Sequence, residues 1–102
     1  MKYTILQIPF PKTEAEEATY LKYAFTPLDR VDEVKAKNYR EVYSGDIDGE
    51  GVYVILENLF RMFNMSHPED FHGHSLSVSD VVNLDGKHYY CDSFGWEEVE
   101  LK

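Results

Sequence analysis

Apolar positions along the chain switch between a period of two and a period near 3.6. Residues 3–8 alternate, with Tyr3, Ile5 and Gln7 on one side and Thr4, Leu6 and Ile8 on the other. Both sides are partly apolar, which predicts an inner strand, and Pro9 and Pro11 end it. Thr13-Glu14-Ala15-Glu16 has the form of a capping box. Behind it Ala15, Ala18, Leu21 and Phe25 recur at helical spacing, predicting a helix over about 14–25. Thr26-Pro27 repeats the start signal, with Pro27 at the first helical position, so a second, shorter helix is expected at about 27–35.

Tyr39–Ser44 reads as a strand that Gly45 ends, and Asp46–Gly51 as a loop leading into a helix. The clearest helix runs over about 51–64. There Val52, Ile55, Leu56, Leu59, Phe60 and Phe63 form a broad apolar stripe, with Glu57, Asn58 and Arg61 opposite. Ser66–Phe71 has the look of one helical turn, ended by Gly73 in a left-handed conformation. Ser75, Ser77 and Ser79 alternate with Leu76 and Val78, which predicts a strand running on into Val81–Leu84. Asp85-Gly86 is the strongest hairpin signal in the chain. A two-residue turn there pairs Leu84 with Lys87, Val82 with Tyr89, Asn83 with His88, Val81 with Tyr90 and Asp80 with Cys91. Gly95 marks a bulge or tight bend, and Trp96–Leu101 forms a last strand with Val99 and Leu101 inward.

Strands cluster at both ends of the sequence and helices lie between them. The expected fold is therefore α+β. A mixed or antiparallel sheet of four or five strands carries the main helix at about 51–64, with one or two N-terminal helices also packed on it. At 102 residues one domain, 1–102, accounts for the whole sequence.

Charge narrows the range of partners. Nineteen Asp and Glu against ten Lys and Arg leave a net charge of −9. Phosphate contacts need a positive surface that releases counterions, so direct binding to nucleic acid or to an anionic membrane is disfavoured. A role as an acidic nucleic-acid mimic, in the manner of anti-restriction inhibitors, stays open. The single cysteine, Cys91, permits no internal disulfide. With no secretory leader pattern and no apolar run long enough for a bilayer, a cytoplasmic location is expected.

Two constellations invite catalytic chemistry. His67, Asp70, His72 and His74 lie close in sequence, with His88 and Cys91 on the following hairpin. Zinc needs three or four converging ligands, and these spacings match no finger and no HExxH helix. The better reading of His74 is as a donor to loop carbonyls. Cysteine–histidine catalysis meets a second objection. The hairpin register sets Cys91 beside Asp80 and turns His88 to the other face. A neighbouring carboxylate raises a thiol pKa, the wrong direction for a nucleophile. Ser77, Ser79 and Asp80 are expected to tie the Gly73–His74 loop to backbone donors. No catalytic residue, metal ligand or cofactor site is assigned.

The run from Phe63-Asn64 through His67-Pro68-Glu69-Asp70-Phe71-His72-Gly73-His74-Ser75-Leu76-Ser77-Val78-Ser79-Asp80-Val81-Val82 resembles the YodL-like family. Tyr89-Tyr90-Cys91-Asp92-Ser93-Phe94-Gly95-Trp96 extends the resemblance, with Trp96 in the place of the usual Phe. So do Asn38-Tyr39 and Val42-Tyr43-Ser44-Gly45. The likeness spans about residues 38–99. It implies a small protein of bacteria, their phages or conjugative elements, with no catalytic residue carried over. Aromatics make up 15% of the chain, more than one small core absorbs, so some tyrosines and the tryptophan are expected at an interface. The expected activity is non-catalytic: an accessory or regulatory protein, monomeric or weakly dimeric, that binds another protein. Its candidate surface is Tyr90 and Trp96 with the loop of His72, His74 and Ser75.

Overall fold

A computed structural model describes every residue except His72. Five strands and two helices follow in the order β1 (Lys2–Gln7), α1 (Glu14–Tyr23), β2 (Arg40–Asp46), α2 (Val52–Met65), β3 (Val81–Leu84), β4 (Lys87–Asp92) and β5 (Gly95–Val99). The strands form one antiparallel sheet of order β2-β1-β3-β4-β5. β1 is an inner strand, as its two apolar faces require.

The hairpin register is the one read from the sequence. Val81, Val82, Asn83 and Leu84 face Tyr90, Tyr89, His88 and Lys87. Asp85 and Gly86 both have positive φ, 51° and 91°, the geometry of a type I′ turn. Beyond the strand the pairing continues, because Cys91 N donates to Asp80 O at 2.8 Å and Ser79 N to Cys91 O at 2.9 Å.

Alternation splits the core in two. Tyr3, Ile5, Val82, Leu84, Tyr89, Cys91 and Trp96 pack under α2, whose Ile55, Leu56, Leu59 and Phe63 are buried. The opposite face buries Val81 and Tyr90 against Val34, with Leu28, Val31, Tyr39, Val99 and Leu101 around them.

Four expectations need correction. The 27–35 helix is replaced by two three-residue 3-10 turns, Leu28–Arg30 and Ala36–Asn38. Too few apolar side chains recur there to hold a longer helix, and the segment covers the sheet face away from α2. Helix α1 does form, with Thr13 Oγ1 accepting from Glu16 N at 3.1 Å. However, its Ala15/Ala18/Leu21 stripe faces solvent, Leu21 is 74% exposed, and Tyr23 is its only buried residue. The stretch 75–80 is a loop, closed by Asp80 N on Ser77 O at 3.1 Å. Pro68–Phe71 is a single hydrogen-bonded turn and no helix, Phe71 N donating to Pro68 O at 3.0 Å. Gly73 has a packing reason to be glycine, since a Cβ there would lie 2.6 Å from Gln7 Oε1. Its conformation depends on His72, outside the described residues. Among the described residues no helix is long and apolar enough to cross a membrane.

Candidate functional site

The motif-rich loop before β3 is organised by two buried polar side chains. Asp80 and Gln7 are each 1% exposed. Gln7 Nε2 donates to His74 O at 2.8 Å and to Asp80 Oδ2 at 3.1 Å. Asp80 Oδ2 also accepts from Ser77 N at 2.9 Å. Burial pushes the Asp80 carboxyl up to about 7, against the opposing pull of His74 and of these two donors. The His74 ring stands at the edge of this knot. Its Nδ1 lies 2.7 Å from Ser75 O, and its Nε2 lies 3.9 Å from Asp80 Oδ1. Asp80 thus ties down the loop as expected, whereas the Ser77 hydroxyl is buried without a partner among the described residues and the Ser79 hydroxyl is turned to Phe25 instead.

Ser79 links this knot to the end of α1. It sits at φ 89°, buried, with Tyr39 Oη donating to its carbonyl at 2.6 Å. Its Oγ accepts from Phe25 N at 2.9 Å. Phe25 is itself left-handed, at φ 59°. Ala24 before it has φ −65° and ψ 136°, and Thr26 N returns to Tyr23 O at 3.3 Å. This is a type II turn with phenylalanine where glycine is strongly favoured. A left-handed residue with a Cβ costs about 1–2 kcal/mol. The turn is held in place by the C-terminal motifs. Besides Ser79 on Phe25, Tyr90 Oη donates to Thr26 O at 2.6 Å and Asp92 Oδ1 accepts from Leu28 N at 3.1 Å.

What the strained turn presents is an aromatic ring in solvent. Phe25 is 51% exposed and Phe10 76% exposed. They flank Tyr20 edge-on, at ring separations of 5.6 Å (Phe10) and 6.0 Å (Phe25). The His74 ring continues the row 5.9 Å from Phe25. Ile8, Phe10, Tyr20, Phe25, Arg40 and His74 border a cavity of about 350 Å³. A second cavity of about 270 Å³ adjoins it across Ile8 and Pro9. The larger cavity is the groove with aromatic walls, and the smaller one is lined by no aromatic side chain among the described residues.

The surface expected from the sequence is only partly here. His74 and Ser75 are exposed at the rim, while His72 lies outside the described residues. Tyr90 and Trp96 are not surface anchors: Tyr90 is 1% exposed and Trp96 9%. They also lie on opposite faces of the sheet, Tyr90 in the Val34 cluster and Trp96 under α2. The inner position of β4 leaves Tyr90 no room for solvent, and the helix-covered face leaves Trp96 little. Gly95, at φ 128°, makes the tight bend between β4 and β5. Cys91 is buried, and burial followed by the Asp80 charge pushes its thiol up to about 12. Among the described residues no three His, Cys, Asp or Glu side chains gather as metal ligands would. Sequence reasoning missed Phe10 and Phe25 as surface residues. The available signal was an aromatic at the junction of two helix-start patterns, where a connecting glycine belongs.

Fold and site together define a small antiparallel α+β domain whose signature residues brace a surface turn. The chain belongs to the YodL-like family, the pattern of the YodL-like domain matching residues 2–101. The match reaches beyond the motif region into β1 and α1, the part that carries the exposed rings. No curated protein and no solved structure matches the chain.

Proposed function

We propose that this protein is a non-catalytic accessory or regulatory protein that binds another protein through the Phe10–Tyr20–Phe25–His74 row. The observation that carries the reading is the Phe25 turn. A backbone strain of about 1–2 kcal/mol is retained at a residue whose ring faces water. Three polar side chains from distant strands and loops, Ser79, Tyr90 and Asp92, hold it there. Stability alone favours glycine at that position. Exposed aromatics on a rigid platform are what interface hot spots are made of. The Ser79, Tyr39 and Tyr90 hydroxyls and the Asp80 and Asp92 carboxyls are occupied in bonds to loop backbone, which favours binding over chemistry. The net charge of −9 favours a protein partner over nucleic acid or an anionic membrane. The lone reduced cysteine suits the cytoplasm, and the protein acts there as a monomer or weak homodimer.

The test places a photo-reactive benzoylphenylalanine at Phe25 in the native cytoplasm, with the same substitution at the fully exposed Phe94 as control. One discrete protein adduct is expected at Phe25 and not at Phe94. That adduct should fall at least about ten-fold when Phe10 is also changed to Ala. Equal adducts at both positions, or none at Phe25, would end this reading.

A further inference from the structure

The groove differs from the rest of the molecule in charge. Acids outnumber bases nineteen to ten over the whole chain. Around the larger cavity the order is reversed: among the described residues Arg40 borders it, beside the His74 ring, and no carboxylate does. The adjoining cavity adds Lys37 and one acid, Glu16. Glu16 already spends an oxygen on Lys12 N at 3.0 Å. Arg40 and Lys37 are both exposed. Arg40 sits in β2 opposite Gln7, so the sheet fixes where its side chain leaves the backbone. The groove thus joins aromatic walls to a cationic rim on an acidic protein.

A cavity at the other end of the sheet makes the contrast plain. It lies between α2 and the β4–β5 bend and is bordered by Phe60, Phe94 and Trp96. Its charged neighbours are Glu57 and Asp92, both acidic. Aromatic content is similar in the two places, and the sign of the charge is opposite.

Resting on the binding role proposed above, we infer that the groove takes a partner segment in which a bulky apolar side chain stands next to a carboxylate. The apolar side chain lies among Phe10, Tyr20 and Phe25. The carboxylate meets Arg40, with His74 at the same rim. A cationic segment would lose its water of hydration against Arg40 and gain nothing. The net charge of −9 opposes a general attraction of an acidic partner, so its recognition falls to the contact with Arg40.

The pair N-acetyl-phenylalanine and N-acetyl-phenylalanine amide tests this, since the two differ in charge and hardly in shape. Each is titrated into the whole 15N-labelled protein while the amides of Ile8, Tyr20, Gly73 and His74 are followed. The carboxylate is expected to shift these amides and to bind about three-fold more tightly than the amide, as a solvent-exposed ion pair gives. The preference should vanish in Arg40→Gln, whose spectrum reports that it is folded, and shrink in half-molar salt. The amides of Phe94 and Gly95 should stay still. Equal binding of the two probes would overturn the charge preference while leaving the aromatic row as a binding surface. No shift at the groove with either probe would overturn the occupant altogether, and the Phe25 adduct experiment then decides separately whether the row binds anything. Shifts that appear on raising protein concentration alone, and disappear in Phe94→Ala, would make the occupant a second copy presenting its Asp92–Phe94 bend and overturn the separate partner.

Discussion

The two helices have been put to opposite uses. α2 turns Ile55, Leu56, Leu59 and Phe63 into the core, and its position on the sheet follows from that stripe. α1 is well capped, yet it buries only Tyr23 and leaves Leu21 in water. A helix of ten residues is marginal on propensity alone. α1 persists because its ends are tied, by Thr13 at the start and by the Phe25 turn beyond its end. What it gains in return is a free surface on which Tyr20 is flanked edge-on by two exposed rings. The comparison separates a helix that builds the core from a helix that displays side chains.

The largest effect expected from breaking that contrast is in the core. Leu59→Ala should lower unfolding free energy by about 2–5 kcal/mol, whereas Leu21→Ala at an equally apolar residue should change it by about 0.5 kcal/mol or less. Urea denaturation of both variants measures the difference. Similar losses would mean that α1 packs as α2 does.

The buried carboxylate gives the next effect. Asp80 has its folded pKa raised to about 7 from an ordinary value of 3.8. Between those values the folded state holds the proton and the unfolded state has lost it. Its contribution to stability is therefore present at low pH and is lost as pH rises toward 7. In Asp80→Asn the amide oxygen keeps the Ser77 and Gln7 bonds and the ionisation is gone. The variant should gain on the wild type by on the order of 2 kcal/mol between about pH 5 and about pH 7.5. Parallel pH profiles of the two proteins would show that the carboxyl titrates normally.

The smallest effect concerns the display itself. Phe25→Ala loses the ring and keeps the left-handed strain, while Phe25→Gly loses both. The glycine variant should be the more stable of the two by about 1 kcal/mol, and both should bind the N-acetyl-phenylalanine probe weakly. Thermal melts rank the pair. An alanine variant as stable as the glycine variant would remove strain from the account of this turn.

Much of the α2 side of the molecule was legible in the order of residues. The stripe of α2, the alternation of β1 and the Asp85-Gly86 turn each encode a local period or a local backbone preference. The cross-strand partners of β3 and β4 follow from the turn alone. The polar knot was legible in part, as an Asp80 that satisfies a loop donor, while the loop's serine hydroxyls do not share that work. Its central partner, Gln7, was not, because it comes from a strand 73 residues earlier. Sequence and structure part where the same local pattern has two physical outcomes. Ala15, Ala18 and Leu21 have the spacing of a buried stripe, and nothing in their own neighbourhood says that no sheet face is left to receive them. Tyr90 and Trp96 have the amphipathic chemistry of interface anchors, and that chemistry serves equally in a core where Tyr90 Oη finds Thr26 O.

By itself the sequence determined the local matters: where strands alternate, where α2 begins and ends, which turn closes the main hairpin, and which family the motif belongs to. These rest on interactions between residues a few positions apart. The tertiary structure decided which aromatics are inside and which are outside. It set Ser79, Tyr90 and Asp92 around Phe25, and it gathered Arg40, His74 and the rings of α1 about one groove. Those outcomes depend on competition among distant segments for a limited area of sheet. An amino acid carries its own hydrophobicity, but whether it is buried depends on what has already taken the place beside it.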